Sequence, residues 1–553
     1  MKLFKYGLPF AALALLASCA NDNVVDQPDP TPEPGQSAYL NVRISVGDVT
    51  RSGQIVDGES YEAAVNSQNP GYLILFSSAS NEGDAVCNYI VNLNGWAGTA
   101  GSDDVEVTNN YGELKMEGVD KNNYLGLVIL NPNGITLPSI GLKFSDWANN
   151  PQNFTHEAVT DSKYLTMTSA LGWKAAPASV TGEPVVLTPI ADTDFYYSSS
   201  NKPQNPVTFY VSRIASKVSL QASTSVTVGT AYNVTDSGLT EGTQNGDQAT
   251  ITSWQVDGVN PNAYPVQRIE AGTVKWTSFA SDIASDWATL QSPMDRFTSG
   301  TNFTRVNWAV DPNYNSNVSY TYATAPGTGD QFKNTTHNAK EYPNENTFDL
   351  AHMKQNQTTR VLFKANYVVS GQTTPKTFVE YNGKKFALES GELETGVSAG
   401  KDLQLANIIK NDAVRNENEN VLSAASTALG ISTTLAKVNL YIDGICYYEV
   451  RIRHFDYQDL GLENEAAFHL PYENSYVGES GATKEDDSAM LGRYGLVRNN
   501  SYVIALNGIA GPGSPTVPTP GDKTDDDPDP YNLNATINVL KWTQRTQGVV
   551  LGQ

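Results

Sequence analysis

The sequence predicts an all-β protein built from β-sandwich domains. Its clearest strand signal is residues 38–46, where apolar and polar residues alternate strictly, which is the period of a strand with one buried face. The apolar members of this run are Ala38, Leu40, Val42, Ile44 and Val46. Glycine (44 residues) and tyrosine (28 residues) are abundant, and this composition favours strands joined by tight turns. Helical patterns are few and short.

The chain of 553 residues is too long for one ordinary core and predicts more than one domain. A hydrophobic content of 39% suffices for globular folding and is too low for a protein with many membrane spans. We place an N-terminal β-sandwich domain at residues 52–225 and a C-terminal one at 226–510. Residues 511–553 are expected to form a linker and a final strand.

The first 19 residues have the features of an export signal. Lys2 and Lys5 precede a short apolar run, which is well below the roughly 20 residues that span a bilayer. The run ends in "LASC", with small residues before Cys19, and this resembles a bacterial lipobox, in which the cysteine receives palmitate-type acyl chains. Anchoring through more than one acyl chain would be stable. The alternative is an ordinary secretory signal that happens to contain a cysteine.

Residues 20–51 are expected to form a tether followed by a strand. The tether, residues 20–36, is rich in Pro and Asp, a composition that stays extended and solvated. The strand at 38–46 then ends in a short loop before Arg51, after which no Lys or Arg occurs until Lys115. A well-formed strand thus ends beside an isolated arginine in a loop close to the N-terminus.

Further strands are predicted at residues 71–78, 87–93, 123–131, 206–223, 358–369, 435–455 and 499–509. Asp443 and Gly444 separate two β-rich runs and predict a two-residue hairpin. Residues 511–532 are rich in Pro and Asp and are expected to be a flexible linker. A last alternating run follows, with apolar residues Leu533, Ala535, Ile537 and Val539. The chain thus carries a strand on a flexible connection at each end.

The charge and the motifs exclude several classes of function. A formal net charge of −23 repels nucleic acid. The five histidines share no ligand spacing, and no nucleophile elbow, P-loop or dinucleotide motif is present, so we expect no enzyme, no metal and no cofactor. The acidic run at 524–530 lacks the Gly and Glu of an EF-hand and is interpreted as solvated linker rather than a calcium site. Cys87 and Cys446 are expected to be buried thiols rather than a disulfide.

Four stretches carry a resemblance to a known family. They are "YIDGICYYEVRIRHF" (441–455), "GRYGLVRNNSYVIALNGIAGPGSP" (492–515), the tail (525–551) and "YPNENT" (342–347). They resemble the major fimbrial subunits of Bacteroidales, the type V pilins, and in particular the major subunit of the short (minor) fimbriae. The resemblance spans essentially the whole chain, and its most specific motifs are C-terminal.

The resemblance implies two transthyretin-like β-sandwich domains and export as a lipoprotein. In such pilins a trypsin-like protease cuts after an arginine and removes the lipid with the first strand, and a C-terminal strand of a neighbouring subunit fills the groove. On this sequence the cut maps to Arg51, with Ser52 as the new N-terminus, so residues 20–51 would comprise the tether and a removable propeptide strand. Arg43 is the other basic candidate, but it lies inside the strand pattern. The donor strand maps to the run from Leu533 to Val539.

The same resemblance implies the partners and the location. Expected partners are further copies of the chain, accessory anchor and tip subunits, a processing protease, and receptors on host or bacterial surfaces. The precursor would sit in the outer membrane through its lipid alone, and the product in an extracellular fimbria. Two other hypotheses stay open at this point. One is a lipid-anchored surface adhesin or glycan-binding protein acting as a monomer, anchor or tip subunit; the other is a secreted hydrolase with a carboxylate pair.

Overall fold

The computed structural model describes nineteen stretches of the chain. They are residues 37–46, 70–93, 110–132, 134–153, 166–169, 172–173, 184–197, 202–234, 246–260, 262–271, 274–275, 304–309, 332–347, 357–381, 384–387, 438–454, 494–498, 500–518 and 533–541.

The described chain is almost entirely β-structure. The strands of its first part are β1 (Ala38–Val46), β2 (Gly71–Ser77), β3 (Cys87–Asn92), β4 (Asn110–Met116), β5 (Tyr124–Leu130), β6 (Gln152–Asn153), β7 (Met167–Ser169), β8 (Gly172–Trp173), β9 (Pro184–Val185), β10 (Thr188–Ile190), β11 (Phe195–Tyr196), β12 (Val207–Arg213) and β13 (Lys217–Leu220). One short helix, α1 (Phe144–Ala148), lies between β5 and β6.

The later strands are β14 (Ala231–Asn233), β15 (Gln248–Asp257), β16 (Asn262–Ala271), β17 (Val274–Lys275), β18 (Thr304–Ala309), β19 (Lys340–Glu341), β20 (Arg360–Val368), β21 (Phe378–Tyr381), β22 (Lys384–Ala387), β23 (Val438–Tyr441), β24 (Ile445–Arg451), β25 (Asn500–Ile509) and β26 (Leu533–Lys541). The predicted all-β sandwich class is confirmed.

The N-terminal part is organised around a nine-stranded sheet. Its strand order is β11-β1-β12-β7-β5-β2-β3, with β4 paired to β1 and β10 paired to β5. The central strands β2 and β5 are apolar along nearly their whole length, because both faces of the sheet are covered. On β2, for example, Leu73 and Leu75 belong to one core cluster while Ile74 and Phe76 belong to another.

Two core clusters therefore lie against this sheet. The β1 core cluster is formed by residues that include Leu40, Val42, Ile44, Leu114, Val128, Phe209 and Val211. The Trp308 core cluster is formed by residues that include Ile74, Phe76, Cys87, Leu127, Phe144, Trp147, Val266 and Trp308. Val266 and Trp308 come from β16 and β18, so residues beyond 225 pack against the first sheet. The predicted domain division at 225 stays a prediction.

The C-terminal part has three smaller sheets around one core. Their strand orders are β19-β13-β25-β26, β14-β15-β20-β24 and β22-β21-β23. The C-terminal core cluster draws on all three and includes Val218, Trp254, Phe363, Phe378, Tyr441, Cys446, Tyr448, Tyr502 and Ile504. Cys87 and Cys446 are free and buried in different clusters, as the sequence predicts.

The run at 206–223 is one predicted strand region but forms two strands in two sheets. β12 belongs to the nine-stranded sheet and β13 to the sheet that contains β25. At the crossing, Ala215 forms a bridge with Asn344, and the carboxylate of the adjacent Glu345 accepts a hydrogen bond from the backbone of Trp308 at 3.2 Å. The "YPNENT" motif is thus located where the first sheet passes into the second.

The predicted hairpin at Asp443 and Gly444 is wrong. β23 pairs with β21, whereas β24 pairs with β20, so the two strands that flank the turn belong to different sheets. The turn itself has the positive φ values expected of an Asp-Gly pair, 51° and 68°. It forms a corner rather than a hairpin because Tyr441 and Cys446, on either side of it, enter the same core from the two sheets.

Candidate functional site

Strand β1 is an internal strand of the first sheet. On one edge it pairs antiparallel with β4, from Ala38 opposite Met116 to Ile44 opposite Asn110. On the other edge it pairs antiparallel with β11 and then parallel with β12, beginning at Val42. We call the position that β1 occupies between these strands the β1 seat.

The apolar residues predicted to form a removable strand lie in the core. Ala38, Leu40, Val42 and Ile44 are fully buried in the β1 core cluster, while Val46 is placed in the ladder opposite Val211. Full burial of a Val, Leu or Ile side chain contributes about 1.5–3 kcal/mol, so β1 is a substantial part of this core.

The other face of β1, here called its outer face, carries Tyr39, Asn41 and Arg43. Tyr196 of β11 reaches across this face, and its hydroxyl donates a hydrogen bond to Glu113 of β4 at 2.6 Å. Burial and this hydrogen bond raise the pKa of the Tyr196 hydroxyl, so the phenol, which is protonated at neutral pH, remains a donor in alkaline solution as well.

Three of the predicted site residues lie outside the described residues. They are the lipidation candidate Cys19 and the two residues of the cleavage site, Arg51 and Ser52. The alternative cleavage residue, Arg43, lies within β1 in the ladder opposite Thr208 of β12 and Tyr111 of β4, as expected for a residue protected inside a strand.

The predicted donor residues form β26, the edge strand of a described sheet. β26 pairs antiparallel with β25 along its whole length. The register places Leu533, Ala535, Ile537 and Val539 opposite Ile509, Leu506, Ile504 and Tyr502. Those four partners on β25 are buried in the C-terminal core cluster. The structure therefore places β1 and β26 in different sheets and does not bring them together.

The first part of the expected flexible linker is packed on the C-terminal sandwich. Ser514 exchanges two backbone hydrogen bonds with Tyr447 of β24, at 2.7 and 2.8 Å. The Tyr448 hydroxyl donates to the Gly511 carbonyl and the Tyr441 hydroxyl to the Gly513 carbonyl, each at 2.9 Å. Residues 511–518, here called the docked linker, are thus part of the folded structure.

The docked linker is the feature that sequence reasoning missed. Its Gly and Pro residues signal a loop, and a loop signal does not reveal which surface it covers. Gly513 is needed because a Cβ there would lie 2.1 Å from the Tyr447 carbonyl oxygen. A glycine at a close backbone approach was the one available hint.

A buried ion cluster supports the end of the docked linker. Arg360 and its partners Asp257 and Glu449 are almost fully buried, and Arg360 donates to the Pro518 carbonyl at 2.7 Å. Burial lowers the pKa of Arg360, but the charges of Glu449 and Asp257 outweigh that effect and raise it.

A family comparison covers this region. Residues 475–548 match the family model described as "Major fimbrial subunit protein type IV, Fimbrillin, C-terminal". The chain carries a fimbrillin C-terminal region. Its described part holds β25, the docked linker and β26, so the match includes the edge strand, the strand it pairs with and the connection between them. The match supports a fimbrial subunit.

Two solved structures were also similar in part. One is a proposed cell adhesion protein from Parabacteroides distasonis, with 10% identity, a TM-score of 0.35, and coverage of 93% of this chain and 98% of that chain. The other is a mutant of the major pilin from Streptococcus pyogenes, with 8% identity, a TM-score of 0.14, and coverage of 64% and 91%. Both TM-scores are too low to bear on the fold or function of this chain. No curated protein matched.

No metal centre or membrane-spanning helix is found in the part of the chain that the structure describes. Among those residues no group of three or more His, Cys, Asp or Glu side chains could hold a metal ion. No helix there combines the length and the apolar character needed to cross a bilayer.

Proposed function

We propose that this chain is the shaft subunit of a cell-surface fimbria and that it polymerises when β1 is replaced by β26 of a neighbouring copy. The observation that carries the proposal is the β1 seat: an internal, core-forming strand lies directly before the predicted cleavage site at Arg51. The fimbrillin C-terminal region, which contains β26, supports the same assignment.

In this proposal the precursor is exported as a lipoprotein on Cys19. The tether at 20–36 holds the folded domain away from the outer membrane. A protease then cuts after Arg51, which leaves Ser52 as the new N-terminus and removes the lipid together with β1. Until that cut, β1 fills the first sheet and prevents premature assembly.

Loss of β1 would leave a groove that favours strand addition. The edges of β4 and β12 would lose their hydrogen-bonding partner, and unpaired strand edges are templates for pairing with another chain. Core residues such as Leu114 and Phe209 would lose the apolar side chains that cover them. Addition of an external strand to such an edge is an established recognition mode.

β26 suits the role of donor because it is bound along one edge only. Its single described strand partner is β25, whereas β1 pairs on both edges, so an incoming β26 would gain a second ladder in the β1 seat. Residues 519–532 reach at most about 50 Å when fully extended. A contact between the tail of one copy and the seat of the next is head-to-tail and does not close, so it produces a filament.

The proposed fibre would be attached by an accessory anchor subunit, would end in tip subunits, and would support adhesion to host or bacterial surfaces. The lipid-bearing precursor would be the only form in contact with the membrane. Neither the proteolytic cut nor the strand exchange would need catalysis by this chain.

The test uses the full chain with Cys19→Ser, which keeps the precursor free of lipid. We expect limited trypsin treatment to produce Ser52 as the N-terminus and to start fibre growth. N-terminal sequencing detects the cut, and electron microscopy detects the fibres. Arg51→Ala should block both. Arg43→Ala is the matched control, because it removes a basic residue only eight positions away and should leave cleavage and fibres unchanged. Fibres from trypsin-treated Arg51→Ala protein, or from a chain ending at Pro518, would contradict the proposal.

A further inference from the structure

A hydrogen bond crosses the outer face of β1 and joins the strands on its two sides. Tyr196 of β11 donates to the carboxylate of Glu113 on β4 at 2.6 Å. β11 and β4 pair with opposite edges of β1, so this bond spans the width of the strand between them. Hydrogen bonds to a carboxylate are stronger than those between neutral groups. We call this pair the Tyr196–Glu113 clasp.

Two residues of β1 lie beneath the clasp. Tyr39 is opposite Tyr196 and Asn41 is opposite Glu113, so the bond crosses β1 between these two rows. The Tyr39 and Tyr196 rings are stacked with centroids 5.8 Å apart. Asn41 is only 5% exposed although it lies on the outer face.

The Asn41 side chain is buried and has a polar neighbour. Its Nδ2 donates to the Pro203 carbonyl at 3.3 Å. Its Oδ1 is buried and accepts no hydrogen bond from the described residues. The position therefore holds a short polar side chain and leaves one of its acceptors unused, so its hydrogen bonds do not require asparagine in particular.

We propose that the Tyr196–Glu113 clasp selects the strand that the β1 seat accepts, by requiring a short polar residue at the Asn41 position. The inference rests on the proposed function and identifies what the seat recognises besides apolar alternation. A long or apolar side chain at this position would displace the clasp and separate the buried Tyr196 hydroxyl from its carboxylate partner. The seat therefore takes strands that have apolar residues at the core positions and Asn, Thr or Ser at the Asn41 position.

The tail strand of this chain meets that requirement in either orientation. Asn41 is the centre of the alternating run from Ala38 to Ile44, and Thr536 is the centre of the run from Leu533 to Val539. When the four apolar residues of the tail take the four core positions, Thr536 therefore falls at the Asn41 position whichever way the strand runs.

The test uses the trypsin-processed full chain and fluorescent peptides of residues 531–543, with binding measured by anisotropy. We expect a Thr536→Asn peptide to bind like the natural one and a Thr536→Phe peptide to bind about tenfold more weakly, as loss of a charged hydrogen bond predicts. Asn534→Phe is the matched control. It falls at the row of Tyr39 or Arg43, where β1 itself carries a large side chain, so it should bind normally.

A variant of the subunit shows whether the clasp is responsible. Tyr196→Phe keeps the ring and removes the donor, so the weakening caused by Thr536→Phe should become small. Tyr124→Phe is the control: its hydroxyl donates to the Asp120 carbonyl at 3.1 Å and does not cross β1, so discrimination should persist. Equal discrimination by Tyr196→Phe and natural subunits would overturn the inference.

A second measurement, of the unfolding midpoint, tests the clasp without strand exchange. In the uncut precursor, Asn41→Thr should preserve the unfolding midpoint and Asn41→Phe should lower it. The difference between these two midpoints should become smaller when Tyr196→Phe is added to both variants. Equal midpoints for the two Asn41 variants would refute the clasp requirement. If these midpoints differ as expected but the natural peptide does not bind the processed chain, the proposed function fails while the clasp in the precursor stands.

Discussion

Arg360 donates a hydrogen bond from its buried guanidinium to the carbonyl oxygen of Pro518, at 2.7 Å. Arg360 is also paired with Asp257 and Glu449, so the point where the docked linker ends is tied to an ion cluster inside the C-terminal sandwich. The position from which the tail departs is therefore fixed by the fold, and only residues 519–532 connect it to β26.

The first prediction compares two truncations at this point. A chain ending at Pro518 keeps the docked linker, whereas one ending at Ala510 loses it with its five hydrogen bonds to β20, β23 and β24. At about 0.5–1.5 kcal/mol for each of the five bonds, the free energy of unfolding of the shorter chain, measured in urea, should be about 2.5–7.5 kcal/mol lower. Equal midpoints would mean that the docked linker does not stabilise the sandwich.

Two point variants provide the controls for this truncation. Tyr448→Phe removes the donor to the Gly511 carbonyl and should lower the free energy of unfolding by about 1–3 kcal/mol, because that carbonyl is buried. Thr516 lies in the same segment but is exposed, so Thr516→Ala should leave the urea midpoint unchanged.

Local pattern was enough to predict part of the strands, although β4, β15 and β16 were not predicted. The alternation of residues 38–46 predicts β1, and the apolar runs at 71–78 and 123–131 predict β2 and β5, because side-chain period and burial are coupled within a few residues. The tail alternation from Leu533 likewise predicts β26. For the candidate site, this means that β1 and β26 could both be found from sequence.

The assignment of strands to sheets could not be predicted in this way. Which sheet β13 joins depends on its parallel pairing with β25, whose residues lie far along the chain. The Tyr196–Glu113 clasp likewise joins residues that are neighbours only because β1 lies between their strands. Such long-range pairings leave no local period in the sequence, and the same reason hides the docked linker and the corner at Gly444.

The corner at Gly444 predicts a difference between two glycine substitutions. Gly444 and Gly371 both have positive φ, 68° and 85°, so alanine at either should cost about 1–2 kcal/mol of backbone strain. A Cβ at Gly444 would also lie 2.5 Å from the Tyr367 carbonyl oxygen, whereas one at Gly371 meets nothing within 4 Å. Gly444→Ala should therefore lower the free energy of unfolding by about 1–3 kcal/mol more than Gly371→Ala.

Urea unfolding of the two alanine variants measures this difference directly. If Gly371→Ala proved as destabilising as Gly444→Ala, strain at positive φ alone would account for both, and the close approach of Gly444 to Tyr367 would have no energetic consequence.

The buried ion pair between Lys385 and Asp247 provides a third prediction. The two groups are 2.6 Å apart and each is only 2% exposed, and Asp247 also accepts hydrogen bonds from the Tyr367 hydroxyl and the Ser370 amide, each at 2.7 Å. Lys385→Ala leaves a buried carboxylate without its cation and should lower the free energy of unfolding by about 3–5 kcal/mol. Chemical denaturation of the variant and the natural chain measures the change.

The exposed pair of Lys143 and Asp84 is the matched control. Its atoms are 3.0 Å apart, but the side chains are 52% and 65% exposed, so water already solvates both charges and Lys143→Ala should have no measurable effect. The double variant Lys385→Met with Asp247→Asn should be more stable than Lys385→Ala, because no unpaired charge remains. If the double variant lost more free energy of unfolding than Lys385→Ala, the burial of an unpaired Asp247 would not be the cause of the destabilisation.

A fourth prediction concerns the reactivity of the two buried thiols. It is tested in the Cys19→Ser chain, in which Cys87 and Cys446 are the cysteines that remain. Burial raises the pKa of each to about 11 from an ordinary value of 9.0, and the thiolate is the reactive form. The folded chain should therefore resist iodoacetamide at pH 8 and take up two labels only when unfolded in guanidinium. Rapid labelling of the folded chain would contradict the buried placement of these thiols.

The same shifts set a pH dependence of stability. Between pH 9 and pH 11 the unfolded thiols ionise while the folded ones stay protonated, so the free energy of unfolding falls as the pH rises through this window. Tyrosines titrate in the same range, and Cys446→Ala separates the two contributions. We expect that variant to lose less stability between pH 9 and pH 11 than the parent chain, whatever its stability at pH 7, because it has one thiol fewer to ionise on unfolding.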